Sequence, residues 1–457
     1  MEYAGLSVPA EAKAYKASRF NAMKGTKDGA LIIANSYSGG VVVFDGDEQT
    51  TARRVLREGL AGEPADTVSA ALVEHGFLIP GHANEAARLN LLHQSLNESS
   101  ALHLIVMPTE DCNFRCTYCY ESFLRGAMSP KVRRSLKMYL LNAIPRLRVF
   151  QLSWFGGEPL FAFDVVKDIT AFARQLCEQH GVTFRGDMTT NGYQLDAARL
   201  DFLATNGITQ FQITLDGDAD THDETRKLAV GGGSTFDVIW QNLVRIHESA
   251  HPISVSVRSN VGPENVAGVE RLVERVAREF KGDKRFTFMA SPIWDYDYES
   301  NKVLNLVGSD FAGLAPLRSQ SATVMGGCPS GSFGAGTAMC YAGKMNSLVV
   351  GSDGALYKCT VAFDDPRNKV GRILDNGDLS IDVDRMSLWV AQDYRTDTGC
   401  QKCFYAPACM GSACPLVRIT QDKAPCPETK VKIAKTLEAY YDDVMGSRGG
   451  DLVGAPA

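Results

Sequence analysis

Between residues 101 and 292 the sequence alternates short apolar segments with amphipathic segments of helical periodicity. This alternation predicts an α/β fold in which parallel strands are joined by right-handed helical crossovers. Six such units are fewer than the eight of a closed barrel. They predict a partial, open (β/α)6 barrel with functional loops at the carboxyl ends of its strands. The predicted strands are residues 102–107, 149–155, 182–188, 210–216, 253–259 and 286–291.

Twelve cysteines in a chain of 457 residues require a chemical explanation. No apolar run is long enough to span a membrane, and the first residues lack the apolar core of a signal peptide, so we expect a cytoplasmic protein without a membrane partner. Thiols stay reduced in that compartment, which favours metal binding over disulfides. The net charge of −6, without a long block of like charge, argues against a nucleic-acid-binding scaffold.

Three of the cysteines, Cys112, Cys116 and Cys119, lie on the loop that follows the first predicted strand. A [4Fe–4S] cluster is normally held by four cysteines, so a loop with three leaves one iron open to an external ligand. At these residues the sequence resembles the radical S-adenosylmethionine (SAM) superfamily. The mark of that superfamily is Cys-x3-Cys-x2-Cys with an aromatic residue beside the last cysteine, here Tyr118 and Tyr120.

The resemblance extends to the loops after the next strands, and it implies how SAM is bound. In the family, the Gly-Gly-Glu-Pro turn holds the amino group of SAM, and the polar loop after the third strand faces its ribose and carboxylate. A later Asp-Gly and an Arg belong to the pattern of peptide- and protein-modifying members, with the Arg as a carboxylate clamp. An ion pair that anchors the loop is the alternative role for that Arg. The implied SAM-binding residues are Tyr118, Tyr120, Gly156, Gly157, Glu158, Pro159, Thr190, Asn191, Asp216 and Arg226.

Eight further cysteines lie in the carboxyl-terminal third, and seven of them follow the order of the SPASM domain, an auxiliary-cluster extension of radical SAM enzymes. Eight thiolates are the number that two [4Fe–4S] clusters need. By resemblance, the first auxiliary cluster takes Cys328, Cys340, Cys359 and Cys414, and the second takes Cys400, Cys403, Cys409 and Cys426. One residue more than in the family precedes Cys414, which concerns that ligand alone. Cys328 lies outside the seven-cysteine pattern, and a first auxiliary cluster with one open iron is the alternative if Cys328 is not a ligand.

Other interpretations of these residues are weaker. Paired cysteines also build zinc sites, although zinc does not explain the SAM motifs. The string from His247 to His251 matches the HExxH pattern of zinc proteases, yet it lies at a helix end before a proline, which favours a solvated helix terminus. Cys177 lies beside the apolar stripe of a predicted helix and is expected to be a small buried thiol.

The first 98 residues predict a small sheet with about three helices, including two strands joined by Ser38-Gly39-Gly40. Such a module resembles the winged-helix-like element with which peptide maturases capture a leader peptide as an added strand. An ordinary helical cap on the barrel is the alternative. The predicted domains are a recognition element at 1–98, a radical SAM core at 99–315, a SPASM domain at 316–445 and a disordered tail at 446–457.

Together these features predict a radical SAM maturase with three [4Fe–4S] clusters that cross-links a ribosomally made precursor peptide bearing a leader. A thioether is the first choice, and a carbon–carbon or carbon–oxygen macrocycle is the second. Reduced flavodoxin or ferredoxin is the expected electron donor. Oxidation of a protein side chain, as in sulfatase maturases, is the first alternative. Those relatives carry an Asp after the cysteine aligned with Cys359, where this chain has Thr360, but Asp364 and Asp365 are near. A non-catalytic iron–sulfur carrier or zinc adaptor is the second alternative.

Overall fold

A computed structural model describes residues 14–293, 313–325 and 333–447. The predicted ligand Cys328 and residues 448–457 of the predicted tail lie outside these ranges. Within them, no helix has the length and apolar character needed to cross a membrane. The chain divides into two compact units. The first comprises residues up to Asn97, Cys328–Lys344 and the residues from Trp389 onward, and the second comprises Glu98–Gly327 and Met345–Leu388.

The amino-terminal part of the first unit contains two three-stranded antiparallel sheets and three helices. The two strands predicted around Ser38-Gly39-Gly40 are confirmed as a hairpin, β3 and β4. The elements are β1 Ala14–Ala17, β2 Asn21–Gly25, β3 Leu31–Asn35, β4 Val41–Phe44, α1 Gly46–Glu58, β5 Leu60–Ala61, α2 Thr67–Glu74, β6 Leu78–Pro80 and α3 Glu85–Leu96. The sheet orders are β2-β3-β4 and β5-β1-β6.

The second unit alternates strands and helices as the sequence predicts, and it adds a two-stranded element and an antiparallel extension. Ser129 caps the first helix after the cysteine loop by accepting the amide of Val132 at 3.3 Å, and Pro130 occupies its first turn. The elements are β7 Ala101–Val106, β8 Phe114–Cys116, α4 Pro130–Ala143, β9 Val149–Trp154, α5 Phe163–His180, β10 Thr183–Thr190, α6 Ala197–Thr205, β11 Ile208–Thr214, α7 Ala219–Thr225, β12 Arg226–Leu228, α8 Thr235–Glu248, β13 Ser254–Val261, α9 Val266–Glu279, β14 Phe286–Pro292, α10 Leu314–Met325, β15 Ser347–Val350, β16 Ala355–Tyr357, β17 Lys369–Ile373, β18 Leu379–Ile381 and α11 Val383–Val390.

All six predicted strands of the core are present, and they are consecutive in one mixed ten-stranded sheet. Its order is β14-β13-β11-β10-β9-β7-β15-β16-β17-β18. The first six strands are parallel to their neighbours, as predicted, and β15 adds to the free side of β7 in parallel. Strands β16, β17 and β18 continue the sheet in antiparallel pairs. Segments 347–350 and 355–357, which the sequence assigns to a separate domain, therefore extend the core sheet.

The carboxyl-terminal part of the first unit contains four short helices and one longer helix, and five cysteines, Cys400, Cys403, Cys409, Cys414 and Cys426, lie on the short helices or on the turns between them. These helices are α12 Thr398–Gln401, α13 Ala406–Cys409, α14 Pro415–Gln421, α15 Glu428–Val431 and α16 Ile433–Ser447.

Strand β3 has two buried faces, and each face packs against a different part of the first unit. Leu31 and Ile33 pack with α1 and α2, whereas Ala30, Ile32 and Ala34 pack on the carboxyl-terminal part of the unit. The residues on that second side are Phe333, Tyr405, Ala408, Cys409, Leu437 and Tyr441. The structure thus groups residues 14–97 with the cysteine-bearing helices, which differs from the predicted boundaries that separate 1–98 from 316–445. The reason is burial of both faces of one central strand, which a local sequence pattern does not reveal.

Candidate active site

The loop after β7 brings three cysteine side chains together at the carboxyl end of the core sheet. Cys112 is buried, and Cys116 and Cys119 are half-buried. Burial raises the pKa of the Cys112 thiol, and the nearby Glu158, Cys116 and Cys119 raise this pKa further. Burial also raises the pKa of Cys119 to about 12, with Cys116 the next contributor. Without a metal these thiols stay protonated, so a cluster bound here would have to displace their protons.

A small antiparallel pair of strands fixes this loop. β8 pairs with β12 so that Cys116 lies opposite Arg226 and Phe114 opposite Leu228. The amide of Thr117 donates to the carbonyl of Thr225 at 3.0 Å, which extends the pairing beyond the strands. The cysteine loop is therefore attached by its backbone to the segment that follows α7.

Side chains reinforce the same attachment through a buried polar network. The Tyr118 hydroxyl donates to the Asp216 carboxylate and accepts from Arg226 Nη1 at 2.7 Å and Asn260 Nδ2 at 3.1 Å. Asp216 also accepts the backbone amide of Asn260 at 2.8 Å, and Arg226 Nη1 lies 3.7 Å from Asp216 Oδ2. Burial raises the pKa of Asp216, and the Arg226 cation and the Tyr118 hydrogen bond oppose that rise.

A neutral histidine completes this network. The backbone amide of Asp216 donates to His222 Nδ1 at 3.2 Å. Burial lowers the pKa of His222 to about 3, and the Arg226 cation contributes to the same shift. His222 is therefore an uncharged acceptor that fixes the turn after β11, and the charge of the network comes from Asp216 and Arg226.

The Gly-Gly-Glu-Pro turn after β9 packs directly on the backbone of the cysteine loop. Gly156 has a φ of +121°, and a Cβ there would lie 2.5 Å from the carbonyl oxygen of Thr109. A Cβ on Gly157 would lie 2.3 Å from the carbonyl oxygen of Asp111 and 2.5 Å from that of Glu110. The family resemblance places both glycines among the SAM-binding residues, and the structure shows that contact between two protein backbones already requires glycine at these positions.

Glu158 connects this turn to the loop after β10. Its buried carboxylate accepts the Thr190 hydroxyl at 2.7 Å and the amides of Asn191 and Leu160 at 2.7 and 2.9 Å. Burial raises the pKa of Glu158, and these hydrogen bonds oppose the rise. A carboxylate has about four acceptor sites, so three bound donors leave one for a further donor.

These elements enclose a cavity of about 260 Å³ at the carboxyl end of the strands. Ten of the residues predicted for cluster or SAM binding line it, and Glu158, Pro159 and Asp216 lie buried behind its wall. The lining predicted residues are Cys112, Cys116, Cys119, Tyr118, Tyr120, Gly156, Gly157, Thr190, Asn191 and Arg226. Three thiols that face a cavity lined by polar loops suit a [4Fe–4S] cluster that keeps one iron open for an amino-acid-bearing ligand such as SAM.

Sequence reasoning missed several polar residues that the strands themselves supply to this cavity. Gln212 and Thr214 on β11 and Arg258 and Asn260 on β13 line it. Arg258 Nε donates to Asn260 Oδ1 at 3.0 Å, and within the described residues its two terminal nitrogens have no hydrogen-bond partner. The sequence does contain a signal for these residues. Polar side chains recur at alternate positions of two otherwise apolar strands, and alternate residues of a strand lie on the same face of the sheet.

Thr360 and Val361, which follow Cys359, also line the cavity. A smaller pocket of about 40 Å³ adjoins it and is lined by Glu110, Glu121 and Asp364 among others. Burial raises the pKa of Glu121 to about 8, with Glu110 and Asp364 as further contributors. Asp365, in contrast, is paired with Arg367 at 2.7 Å.

Four of the carboxyl-terminal cysteines converge in the first unit. Burial raises the pKa of Cys409 to about 12, and Cys403, Cys400 and Cys426 raise it further. Cys409 is buried and Cys426 is exposed. Among the described residues, no three His, Cys, Asp or Glu side chains are close enough together to hold one metal ion. The proximity of these four cysteines to one another agrees with the prediction that they bind one group together.

The structure gives less information on the remaining predicted ligands, Cys340, Cys359 and Cys414. The Cys340 amide donates to the Ser412 carbonyl at 2.9 Å, which brings Cys340 close to the segment that carries Cys414. Cys359 belongs to the other unit. The set of four predicted for the first auxiliary cluster therefore stays a prediction.

The HExxH-like string at 247–251 and the lone Cys177 have the structural roles that the sequence predicts. His247 Nδ1 pairs with Asp283 at 2.8 Å and His251 Nε2 with Asp201 at 3.3 Å, so the two histidines have separate partners at the end of α8. Cys177 is fully buried on α5.

We expect Gly157→Ala to disturb the first cluster, because the new Cβ would meet two backbone oxygens that cannot retract without moving Cys112. The measurement is iron per chain after anaerobic reconstitution, with circular dichroism to check the fold. Gly126→Ala is the matched control, since it lies on the same loop and its Cβ would meet nothing within 4 Å. Equal iron content in both variants would contradict this role for Gly157.

Substitutions on the two faces of β3 test whether this strand supports the site formed by Cys400, Cys403, Cys409 and Cys426. Ile32→Ala and Ile33→Ala should each lower stability by about 2–5 kcal/mol, because both side chains are fully buried. Only Ile32 packs in the cluster of residues that contains Cys409, so only Ile32→Ala should also lose iron. Iron and thermal unfolding are measured on both variants, and iron loss of the same size in both would contradict the expectation.

Comparison with known proteins identifies the family of the core domain. The model of the Radical SAM superfamily matches residues 106–276. A cysteine-type anaerobic sulfatase-maturating enzyme of Clostridium novyi is 22% identical over 337 residues, which cover 68% of this chain and 87% of that protein. Fe-coproporphyrin III synthase of Methanosarcina barkeri is 23% identical over 171 residues, which cover 37% of this chain and 40% of the relative.

The chain spans only 34% to 40% of the length of the first three curated relatives that it matches. Among solved structures, native anSMEcpe with bound AdoMet and a Cp18Cys peptide is similar, with a TM-score of 0.51 and 18% identity over 76% of this chain and 98% of that one. That likeness shows a shared fold. The cysteine spacing, the cavity and the family match agree, and the chain therefore contains a Radical SAM superfamily domain in residues 106–276.

Proposed function

We propose that this chain is a radical SAM/SPASM maturase that installs a cross-link in a ribosomally made precursor peptide. The observation that carries the proposal is the convergence of Cys112, Cys116 and Cys119 on one cavity together with the two polar loops after β9 and β10. Three [4Fe–4S] clusters and SAM are the cofactors of this proposal. Cys112, Cys116 and Cys119 would hold the first cluster, and the eight carboxyl-terminal cysteines would hold the other two.

When bound, the reduced first cluster and SAM supply a 5′-deoxyadenosyl radical that removes a hydrogen atom from the peptide, and the auxiliary clusters supply an acceptor for the electron released later. The protein has to position SAM and exclude water. Gly156 and Gly157 line the cavity and would meet the amino group of SAM, and the buried Glu158, which has one acceptor site left, would support their turn from behind. Thr190 and Asn191, which Glu158 holds in place, would contact the ribose or the carboxylate.

Arg226 would meet the SAM carboxylate with a guanidinium nitrogen that has no protein partner among the described residues. Its guanidinium lines the cavity, its Nη1 donates to Tyr118, and its buried Nε has no partner among the described residues. An orphaned buried donor is costly, and a bound carboxylate would satisfy it. In this proposal the clamp and the loop anchor are therefore two roles of one residue.

A peptide substrate is supported by the relatives and by the shape of the amino-terminal module. The similar anSMEcpe structure contains a bound peptide, and the Clostridium novyi relative is a sulfatase-maturating enzyme. The β2-β3-β4 sheet has a strand at each edge, which suits capture of a leader peptide as an added strand. This module would act as the winged-helix-like leader-recognition element. A thioether is our first choice of bond, followed by a carbon–carbon or carbon–oxygen macrocycle.

Sulfatase-type oxidation is the second candidate, and the sulfatase-maturating relative favours it. That chemistry needs a base near the substrate, and Thr360 cannot serve as one. Asp364 and Glu121 line the adjoining pocket and are the residues that could replace it. Asp365 is a poorer choice, because its ion pair with Arg367 holds its pKa below the usual range.

Product analysis distinguishes the candidates. Anaerobically reconstituted protein is incubated with SAM, dithionite and either a precursor peptide encoded beside the gene or a sulfatase-derived cysteine peptide. We expect 5′-deoxyadenosine and, from the precursor, a product that has lost two hydrogens and one free thiol. Loss of sulfur from the sulfatase peptide would favour the second candidate. Absence of 5′-deoxyadenosine would leave only a non-catalytic iron–sulfur or zinc protein.

A further inference from the structure

We propose that Arg258 binds a carboxylate of the peptide substrate inside the cavity, either an acidic side chain or the terminal carboxylate of the peptide. This inference rests on the proposed function, because it assumes that a peptide enters the cavity that would hold SAM. The choice between a thioether and another cross-link does not affect it.

Arg258 is supplied to the cavity by a strand rather than by a loop. It lies on β13, beside Thr214 on β11 and Met289 on β14 in the parallel register. The side chain is half-buried, and the residue lines the cavity. A binding group on a strand with neighbours on both sides is held more precisely than one on a loop. The sheet thus holds this cation in a defined place inside the cavity.

One hydrogen bond fixes the guanidinium and leaves its terminal nitrogens for a ligand. Arg258 Nε donates to Asn260 Oδ1 at 3.0 Å. Asn260 is itself held, because its Nδ2 donates to the Tyr118 hydroxyl at 3.1 Å and to Asp216 Oδ1 at 3.3 Å. An arginine has N–H donors on all three of its nitrogens, and this bond uses only the one on Nε. The two terminal nitrogens match the two oxygens of a carboxylate.

Within the described part of the chain, no carboxylate forms an ion pair with Arg258. Asp216 feels its charge but already has Arg226 Nη1 at 3.7 Å. Glu121 is the only acidic residue among the described residues that line the cavity, and Arg258 is not among the charges that shift its pKa. A cation that is partly removed from water is stabilised by an anionic partner. The cavity therefore offers Arg258 to an anion that the ligand brings.

The carboxylate of SAM suits Arg226 better than Arg258. SAM on the open iron would have its amino-acid group beside the three cysteines. Arg226 lies there, because it is opposite Cys116 in the β8–β12 pair, and its charge acts on Cys116 and Cys119. Arg258 is not among the main charges that act on any of the three thiols. One SAM molecule has one carboxylate, so Arg258 is left for the other ligand of the proposed reaction, the peptide.

The test measures peptide binding and SAM binding separately on the reconstituted holoenzyme. The peptide probe is the fluorescently labelled core segment of the precursor encoded beside the gene, without its leader. It is titrated at saturating SAM and without reductant, so that no turnover occurs. We expect Arg258→Gln to weaken peptide binding by about ten- to a hundredfold, because charge-assisted hydrogen bonds are lost, and to leave SAM affinity unchanged. Arg258→Lys keeps the charge without the planar pair of donors and should lose less.

Modified peptides identify the carboxylate that Arg258 binds. One peptide carries a terminal amide, and the others replace single Asp or Glu residues by Asn or Gln. We expect one of these changes to weaken binding to the unmodified protein and to cause no further loss in Arg258→Gln, as a double-mutant cycle requires for a direct contact. Coupling to the amide assigns the terminal carboxylate, and coupling to one Asn or Gln peptide assigns an acidic side chain.

Arg278→Gln is the matched control, because it makes the same charge change at an exposed position of α9, the helix that follows β13. It should bind both ligands as the unmodified protein does. Unchanged peptide affinity in Arg258→Gln, an equal loss in the control, or the absence of coupling to any peptide would overturn the proposal. Weaker binding of SAM alone would make Arg258 a SAM ligand and would also overturn it. Iron content is measured on every sample, and failure of the proposed chemistry is seen separately, as absence of product from the precursor.

Discussion

The buried contact between the cysteine loop and the ends of two neighbouring strands, β11 and β13, is the interaction on which the site depends. Tyr118, in the middle of the Cys116–Cys119 interval, donates to Asp216 after β11 and accepts from Asn260 on β13. A buried carboxylate of this kind is tolerated because Arg226 and several donors surround it. Removal of Asp216 or Arg226 would leave the other charge buried without its partner, so this pair holds the loop in one position.

The loops after β9 and β10 are also held in place by contacts with neighbouring loops. The Gly-Gly-Glu-Pro turn presses its backbone onto the cysteine loop, and Glu158 then fixes the loop after β10 through Thr190 and Asn191. Each loop is therefore supported by its neighbour rather than by its own strand alone. The cavity is preorganised by protein–protein contacts, which leaves the thiols and a few polar groups free to bind cofactors.

Much of the core was predictable because it is encoded locally. The six strands have apolar periodicity. The cysteine loop, the Gly-Gly-Glu-Pro turn and the polar segment with Thr190 and Asn191 each lie at the carboxyl end of a strand, so their convergence follows from parallel topology. The β8–β12 pair was not predictable, because two strands of three residues pair over more than a hundred positions without a periodic signal. Arg258 and Asn260 were missed for a related reason. Which face of their strand points into the cavity is known only once the direction of the strand in the sheet is known. The packing of Ile32 against Cys409 depends on long-range contacts that local patterns do not carry.

The central claim is that Cys112, Cys116 and Cys119 hold a cluster whose open iron binds SAM. The most direct measurement is electron paramagnetic resonance of dithionite-reduced protein in which Cys400, Cys403, Cys409 and Cys426 are replaced by alanine, recorded with and without SAM. The account predicts a reduced [4Fe–4S] signal whose g-values shift when SAM is added, and loss of the shifting component when Cys112, Cys116 and Cys119 are also replaced. A signal that SAM leaves unchanged, or a shift that survives loss of these three cysteines, would contradict it.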